Sequence, residues 1–462
     1  MNSKKAKIGV LGLLLEAYEP IFPGITQAQY QYVTEVLEGI SETTEYIFPK
    51  IARNRGDIEE LTARYNRDGL DGIVIFLLSY SQGQYLVHAM QQNRLPLALA
   101  LIQPGRTALS SYGEWEYTVN QGIHGAQDNA NCLRRAGIPC LFFAGDRTAE
   151  TFPRFMADFA AAARTATAMR SMKIGIVGKL PGMGDVVTDD MAFYRKLGPE
   201  FVYDSIGTVQ GLCAAVTNED VAVAMACDRE IFDIDPTMPQ EVHATAARYY
   251  LGIKRYVEQN GYAGYTIHFD ECGADGRFTQ LPFLAASHLM AEGYGYAAEG
   301  DASTAALGAM MQSLCGACGF SEMYMMDFER KAILFCHAGE GNWALAAKKP
   351  FLMDRVFNEG GLSNPPTPVF TPRPGRAWVL SLVHEGGDAF KLVAAGGTIL
   401  PDDNLTGCDM PYLFFSPDSG VEELVTRWLE EGGTHHEIIV PGEYSPRIRM
   451  LCKLCGISFR EL

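Results

Sequence analysis

The chain has 462 residues, 47% of them hydrophobic and 20% charged, so it can form two to four globular domains with substantial cores. Its formal net charge of −17 argues against nucleic acid or an anionic membrane surface as the main partner. The segment 1–20 passes from a short basic start into an apolar run that is too short to span a bilayer. We therefore expect no signal peptide, no membrane partner and a cytoplasmic location.

The first 172 residues alternate short apolar runs with segments of helical periodicity. Strands are predicted at 7–14, 43–49, 71–78, 96–102 and 138–145, and helices at 26–40, 56–66 and 149–170. Continuous apolar strands separated by helices imply a parallel sheet covered on both faces. The pattern predicts an N-terminal α/β domain over residues 1–172, similar to a Rossmann fold.

The start of the chain is repeated at Lys173, where "KIGIVGKL" resembles the "KIGVLGLL" at Lys7. A strand-like "YTIHF" and helical patterns at 239–260 and 302–315 follow, which predicts a second Rossmann-like α/β domain over 173–318. The glycine-rich "GKLPGMGD" (178–185) matches neither the dinucleotide fingerprint nor a P-loop. It is interpreted more simply as a tight turn near a ligand crevice, and a nucleotide-dependent oxidoreductase is disfavoured.

Beyond residue 318 the chain consists mainly of short apolar strands separated by glycine and proline turns. Strands are predicted at 322–329, 331–339, 376–386, 389–400 and 411–417, and helices at 420–431 and 444–455. The proline-rich stretch 362–375 is predicted to be a loop within the same domain. The pattern predicts a C-terminal antiparallel β-barrel-like domain with a few helices over residues 319–462.

Eleven cysteines are scattered along the chain, an odd number that fits reduced thiols better than a disulfide framework. Cys315 with Cys318 and Cys452 with Cys455 form two CxxC pairs, so a zinc or redox site has to be considered. Both pairs lie in helical stretches without the glycine-rich knuckles of a zinc ribbon. Buried or incidental thiols are the preferred interpretation.

The polar residues of greatest interest lie at predicted strand ends in the second half of the chain: Glu299, Glu322, His337, His435 and His436. Carboxylates and imidazoles are suitable ligands for Mn²⁺ or Co²⁺. Each residue also has an ordinary alternative, because an isolated glutamate at a strand start is usually a solvated edge. Neighbouring residues of a strand point to opposite faces, so only one of the paired histidines is expected to face a site.

Several motifs, in this order, resemble the L-arabinose isomerase family. They are "NQGIHG" (120–125), the stretch from Glu258 to Leu307 with Glu299 in "AEGD", "GFSEMYMMDFE", "CHAGEGNWALAAKKP" and "GGTHHEI". The resemblance touches all three regions and is strongest from about 250 to 350. It implies two α/β domains and a C-terminal barrel, assembled as a homotrimer or homohexamer whose active sites are shared between subunits, with a small sugar as substrate.

The resemblance also implies a metal and its ligands. In the family one Mn²⁺ is held by two glutamates and two histidines, which correspond here to Glu299, Glu322, His337 and His436, with Co²⁺ or Mg²⁺ as alternative ions. The two glutamates are also the implied acid and base of an aldose–ketose isomerisation through a cis-enediol. With His436 as the ligand, His435 is expected to point to the opposite face, either to solvent or as a hydrogen-bonding group outside the ligand set.

Further positions correspond to the family's sugar contacts, and some depart from it. The implied substrate-binding residues are Gln121, His124, Phe269 and Met183, with Glu16 and Tyr18 in the first βα loop. That loop reads "GLLLEAYEP" where the family has Gln-His-Leu-Tyr, Met323 stands where the family has an acidic residue, and "AGEGNWA" replaces "MLEVCPS". Retained ligands with altered surroundings indicate the same reaction on a different sugar.

The candidate sugars are another pentose, a 6-deoxyhexose or a C6-modified hexose, including an anionic one such as sulfoquinovose. An anionic group would need a cation in the pocket, and Arg53, Arg55 and Lys179 are the loop candidates. The alternative function is a non-catalytic sugar-binding or regulatory paralogue of the same fold. That alternative predicts lost metal ligands, and none of the four is lost.

Overall fold

The structure is a computed structural model that describes residues 5–273, 275–357, 361–401 and 405–462. The strands are β1 Ala6–Leu13, β2 Thr44–Ile47, β3 Ile51–Ala52, β4 Gly72–Leu77, β5 Leu97–Leu101, β6 Leu141–Ala144, β7 Lys173–Val177, β8 Glu200–Tyr203, β9 Asp233–Ile234, β10 Gly264–Ile267, β11 Gly295–Tyr296, β12 Gly319–Asp327, β13 Ala332–Cys336, β14 Phe351–Asp354, β15 Pro366–Val369, β16 Gly375–Gly386, β17 Ala389–Ile399, β18 Tyr412–Pro417, β19 Glu437–Pro441 and β20 Ser458–Glu461.

The helices are α1 Tyr18–Ile21, α2 Ile25–Glu38, α3 Arg55–Arg67, α4 Gly83–Gln92, α5 Glu114–Asn120, α6 Gly122–Arg135, α7 Thr151–Met169, α8 Asp190–Leu197, α9 Ile206–Ala214, α10 Asn218–Ile231, α11 Gln240–Asn260, α12 Phe269–Gly273, α13 Phe283–Ala291, α14 Ala302–Cys315, α15 Val421–Glu430 and α16 Ser445–Cys455. A single 3₁₀ turn, Trp343–Leu345, is assigned as well. Within the described residues, no helix is both long enough and apolar enough to cross a bilayer.

The chain separates into two compact units. The N-terminal unit contains residues up to 168 together with 446–456, and the C-terminal unit contains 169–445 and 457–462. Helix α16 therefore belongs largely to the N-terminal unit, although its sequence follows the barrel strands. The predicted domain boundaries after residues 172 and 318 remain predictions.

The N-terminal unit is built on a parallel sheet in the order β2-β1-β4-β5-β6, with β3 paired to the end of β1. Its strands are continuous apolar runs because helices cover both faces, and all six residues of β4 are buried. Helix α16 completes this unit, where Met450 and Leu454 pack against its core and Arg447 pairs with Asp158 at 2.9 Å.

The C-terminal unit begins with a second parallel sheet, in the order β11-β10-β7-β8. Helix α14 packs on β7, β10 and β11 of this sheet and also on β16 and β19. Its first ten residues are all buried, which explains why the helix has small and apolar residues on all of its faces. The loop leading into α14 is thereby held between the parallel sheet and the next layer of strands.

Six strands of this unit form an antiparallel barrel in the order β16-β19-β12-β13-β18-β17, closed by the long β16–β17 pairing. Strand β20 adds to β17 in parallel. The barrel interior is apolar, with Phe335, Val379, Phe415 and Ile439 in one buried cluster with Trp428 of α15. The predicted fold class, two parallel α/β sheets followed by an antiparallel barrel with a few helices, is confirmed.

The proline-rich stretch 362–375 is not wholly a loop as predicted. It contains β15, which pairs antiparallel with β14, while β14 pairs in parallel with β9. Proline cannot donate a ladder hydrogen bond, so it disfavours an internal strand but is tolerated at an edge. Strand β15 is the edge of this three-stranded sheet, so Pro366 and Pro368 are compatible with it.

Candidate metal centre

Strand register brings three of the predicted ligands together. Strand β12 lies between β19 and β13 in the barrel. On one side, Ser321 pairs with Glu437, and His436 is the residue just before Glu437. On the other side, Glu322 pairs with Cys336, and His337 is the residue just after Cys336. Neighbouring strands therefore place one carboxylate between two imidazoles, although more than a hundred residues separate Glu322 from His436 along the chain.

Glu299 reaches the same place from the turn between β11 and α14. Its backbone has φ 64°, a left-handed conformation that is unusual for a residue with a side chain. The turn is fixed from several directions: Gly300 N donates to Thr266 Oγ1 at 2.9 Å, and Leu180 N donates to Glu299 O at 2.9 Å. These contacts hold an otherwise strained residue in one conformation.

The side chains converge on His436. Its Nε2 lies 3.1 Å from Glu322 Oε1 and 3.6 Å from Glu299 Oε2, and His337 Nε2 lies 3.7 Å from Glu322 Oε1. The ligand atoms of Glu322, His337 and His436 all lie within 4.8 Å of one another, close enough to share one ion. Glu299 forms an overlapping group with His436 and His435 at the same spacing.

A carboxylate lies near the opposite nitrogen of each buried imidazole, as a hydrogen-bond partner for His436 and as an ion-pair contact without hydrogen-bond alignment for His337. His436 Nδ1 is 3.0 Å from Asp301 Oδ2, and His337 Nδ1 is 3.1 Å from Glu340 Oε1. Both carboxylates are buried, and Tyr296 donates its hydroxyl to Glu340 at 2.8 Å. A carboxylate at Nδ1 fixes the ring orientation and leaves Nε2 available, which is the usual arrangement behind a metal-binding histidine.

The charges of the site are strongly coupled. Burial alone would lower the pKa of His436, but Asp301, Glu299 and Glu322 outweigh it and raise that pKa to about 12. Burial would also lower the pKa of His337, but the nearby carboxylates of Glu340 and Glu322 have the larger effect and raise it. The facing His436 imidazole holds the pKa of Glu299 below its usual value against the effect of burial. The surrounding carboxylates therefore favour the protonated form of both imidazoles.

The residues present fit a divalent cation. His436 Nε2 is buried and makes no aligned hydrogen bond, although two carboxylates face it. An orphaned imidazole nitrogen between carboxylates is costly to bury, and coordination would satisfy it. Two glutamates match a charge of +2, and the mixed nitrogen and oxygen donors suit Mn²⁺, Co²⁺ and similar ions.

His435 does not point away from the site as predicted. Strand β19 begins at Glu437, so both histidines lie in a bend where strand alternation does not apply. The two rings are 4.3 Å apart between centroids, and His435 Nε2 lies 3.8 Å from Glu322 Oε1. The His435 side chain is 46% exposed and is held by Asp185, whereas His436 is fully buried.

The predicted sugar contacts divide between the two units. In the C-terminal unit, Phe269 packs beside His337 with 6.3 Å between ring centroids, and half-buried Met183 lies in the 178–185 loop that contacts Glu299 through Leu180. The residues predicted in the N-terminal unit are Glu16, Tyr18, Gln121 and His124, where Gln121 Nε2 donates to Tyr18 OH at 3.0 Å and Glu16 and His124 are exposed. Their roles remain predictions.

The CxxC pairs behave as structural thiols. None of the eleven cysteines, all of which lie within the described residues, forms a disulfide, and Cys318 and Cys452 are buried. Burial raises the pKa of both thiols, which disfavours the thiolate that metal binding requires. Among the described residues, both candidate metal-binding groups consist of glutamate and histidine alone.

Three carboxylates of the site were missed from the sequence: Asp301, Glu340 and Asp185. A signal was present for each one. Asp301 follows Glu299 within "AEGD" and caps helix α14 by accepting from Thr304 N at 2.9 Å. Glu340 is three residues after His337, and Asp185 ends the glycine-rich loop "GKLPGMGD".

Gly300 is a testable point in this architecture. Its φ is +88°, and an added Cβ would lie 2.5 Å from both Gly178 O and Lys179 Cα. Gly300→Ala should lower the free energy of unfolding by about 2–4 kcal/mol, because the left-handed backbone and the backbone clash each cost about 1–2 kcal/mol or more. Denaturant titration measures the change.

Gly316→Ala is the matched control for that measurement. Gly316 has the same φ of +88° but open space around the added Cβ, so the variant reports only the cost of the backbone conformation. Equal losses in the two variants would show that the 178–180 backbone does not press on the Glu299 turn.

Comparison with known proteins gives a consistent result. A family model described as the L-arabinose isomerase central domain matches residues 184–317, and one for the L-arabinose isomerase C-terminal domain matches residues 317–458. An L-arabinose isomerase from Clostridium beijerinckii is 26% identical over 89% of this chain and 88% of its own length. One from Leuconostoc mesenteroides is 26% identical over 95% of this chain and 98% of its own.

The similarity to solved structures is much weaker. A periplasmic solute-binding protein from Actinobacillus succinogenes, solved with bound D-allose, is 13% identical and covers 67% of this chain and 92% of its own. The TM-score is 0.17, which is too low to support an inference about fold or ligand.

Proposed function

The chain belongs to the L-arabinose isomerase family of aldose–ketose isomerases, as a distant member over nearly its full length, and on that basis we propose that it is a metal-dependent aldose–ketose isomerase acting on a free sugar. The observation that carries this proposal is the convergence of Glu299, Glu322, His337 and His436. Glu322, His337 and His436 offer ligand atoms within 4.8 Å of one another, and Glu299 Oε2 lies 3.6 Å from His436 Nε2.

Each of the four side chains has a role in the proposed reaction. The two imidazoles, held by Asp301 and Glu340, would fix the ion, and the two glutamates would balance its charge. A divalent ion bound there would supply Lewis-acid stabilisation to the two sugar oxygens as negative charge develops during isomerisation. We propose Mn²⁺ as the ion, with Co²⁺ or Mg²⁺ as alternatives.

The two glutamates are the proposed acid and base. Isomerisation removes a hydrogen from the carbon next to the carbonyl and returns it to the neighbouring carbon, while a proton also moves between the oxygens. Glu299 and Glu322 approach the same imidazole from different elements, a turn and a barrel strand. Two carboxylates on either side of a sugar could take and return the proton through a cis-enediol, provided that their environments separate their pKa values.

The sugar is proposed to differ from L-arabinose. The loop after β1 carries Glu16 and Tyr18 where the family has Gln-His-Leu-Tyr. For an anionic sugar, Lys179 is the preferred cation, because it lies in the loop that contacts the Glu299 turn through Leu180 and is exposed. Arg55 is already paired with Glu59 at 2.7 Å.

A substrate panel tests the function directly. Purified protein, loaded with Mn²⁺, is incubated with aldopentoses, 6-deoxyhexoses, hexoses and C6-anionic hexoses, and ketose formation is measured before and after EDTA. We expect EDTA-sensitive conversion of at least one sugar, with restoration by Mn²⁺ or Co²⁺. Sugar binding without conversion of any sugar would favour the alternative, a non-catalytic sugar-binding or regulatory paralogue. No membrane or nucleic-acid partner is needed for this function, and assembly as a homotrimer or homohexamer is part of the proposal.

Metal affinity should rise with pH. The ion binds neutral imidazole, whereas the raised pKa values of His337 and His436 favour the protonated rings in the ion-free protein. Metal must displace these protons, so the apparent affinity should increase by about tenfold per pH unit for each proton released. Titration calorimetry with Mn²⁺ in buffers of different ionisation enthalpy measures both quantities. An affinity independent of pH would contradict the assignment of the imidazoles as ligands.

A further inference from the structure

We propose that Asp185 is a positioning residue, which holds His435 so that its Nε2 is presented to the hydroxyl groups of the bound sugar. This inference rests on the proposed isomerase function and extends it to a residue outside the four ligands. Its basis is a set of contacts between the 178–185 loop and the bend that carries both histidines.

Asp185 contacts His435 twice with the same oxygen. Oδ2 accepts from the His435 backbone N–H at 2.9 Å and lies 2.7 Å from His435 Nδ1. When the ring donates from Nδ1, Nε2 is left as a hydrogen-bond acceptor. Partial burial disfavours the charged carboxylate, yet the hydrogen bonds from His435 keep the pKa of Asp185 lowered, so it accepts as a carboxylate.

All three imidazoles of the site follow the same pattern. His436, His337 and His435 each have a carboxylate near Nδ1, and the Nε2 atoms lie 3.1, 3.7 and 3.8 Å from Glu322 Oε1. The first two rings are buried, with side chains 0% and 4% exposed, whereas His435 is 46% exposed. Of these three rings, His435 is the one that a sugar in solvent can reach directly.

The 178–185 loop also contacts the site near its first residues, through Leu180. Leu180 N donates to Glu299 O at 2.9 Å, so the segment from Leu180 to Asp185 begins at one proposed catalytic glutamate and ends at His435. Met183 lies between these two attachments. Asp185 therefore fixes the orientation of the His435 ring. It also anchors the end of the loop that carries Met183, a predicted sugar contact.

The main test is Asp185→Asn, assayed with Mn²⁺ and the best sugar of the panel. An outer carboxylate behind a functional histidine is worth about 10–100-fold, so kcat/KM should fall by about that factor, mostly through KM, while Mn²⁺ affinity changes by about twofold or less. Asp185→Glu should restore part of the loss. Asp190→Asn is the control, because Asp190 is also an exposed carboxylate nearby but accepts from Tyr203 instead of His435.

A double-mutant cycle shows whether Asp185 acts through His435. His435→Asn should raise KM at least as much as Asp185→Asn, and the double variant should be no worse than His435→Asn alone. Additive losses would show that Asp185 acts on the loop independently, and would overturn the proposal. Loss of Mn²⁺ affinity in Asp185→Asn, comparable to the loss on removal of a ligand, would also overturn it, since His435 would then be holding the ion.

A third measurement does not depend on turnover. Nitrogen NMR of ¹⁵N-histidine protein should show His435 as the Nδ1–H tautomer in the wild type and a mixed population in Asp185→Ala, which removes the acceptor oxygen. An unchanged tautomer would contradict the positioning role whether or not any sugar is converted. If the wild type converts no sugar but the tautomer shifts, the isomerase proposal fails and the Asp185–His435 pairing stands, so the two failures are distinguishable.

Discussion

Glu322→Gln should lower kcat for the best sugar by about 10²–10⁴-fold, because an amide cannot take or return the proton that isomerisation moves. Glu299→Gln should have an effect of similar size. Both side chains face the same buried imidazole, so neither can be replaced by a shift of the other. The assay is the initial rate of ketose formation at saturating Mn²⁺, since either change also removes a charge that favours the ion.

The control is Glu329→Gln, which removes an exposed carboxylate just beyond the end of β12 and should leave the rate unchanged. Exchange of the substrate's carbon-bound hydrogen with deuterated solvent separates chemistry from binding, because it reports proton removal directly. A Glu322→Gln or Glu299→Gln variant that keeps more than about a tenth of the wild-type rate would contradict the assignment of these residues as acid and base.

His436→Ala should abolish stoichiometric metal binding and turnover together. The Nε2 atom of this buried ring lies 3.1 Å from Glu322 and 3.6 Å from Glu299, and removal of the ring should weaken Mn²⁺ binding by more than the roughly 10–100-fold that the loss of an outer partner costs. Asp301→Asn is that outer change, and it should produce the smaller loss. Metal content after dialysis and calorimetric titration rank the variants.

His435→Ala is the decisive comparison. The adjacent ring is exposed and bonded to Asp185, so its removal should spare the metal while it weakens the use of sugar. If His435→Ala and His436→Ala lost metal equally, the overlapping group of Glu299, His435 and His436 would be the actual cation site. Circular dichroism and thermal unfolding confirm that each variant is folded before these numbers are compared.

Much of the fold was accessible from periodicity alone. Helix α14 was predicted at 302–315 and occupies those residues, because an unbroken run of small and apolar residues ends at a left-handed Gly316. The two parallel sheets follow from continuous apolar strands alternating with helices. Strand β15 was not predicted, because its prolines lack the N–H donors that an internal strand needs and therefore argue against a strand.

The site was less accessible for a physical reason. Glu322 lies between two histidines only because β12 is placed between β19 and β13, and the order of strands in a barrel is not encoded in periodicity. The resemblance to a family supplied the four ligands, and their roles stay predictions. The orientation of His435 was predicted wrongly because the alternation rule needs a strand, and the strand starts one residue after His436.

Helix α16 has a consequence for how the protein is made. Residues 446–456 complete the core of a unit whose other residues are the first 168 of the chain. A nascent chain emerging from the ribosome therefore exposes an incomplete apolar core in its N-terminal unit until residues 446–456 have been synthesised. Folding of that unit is completed only after this segment has left the ribosome, more than 270 residues after the rest of the unit.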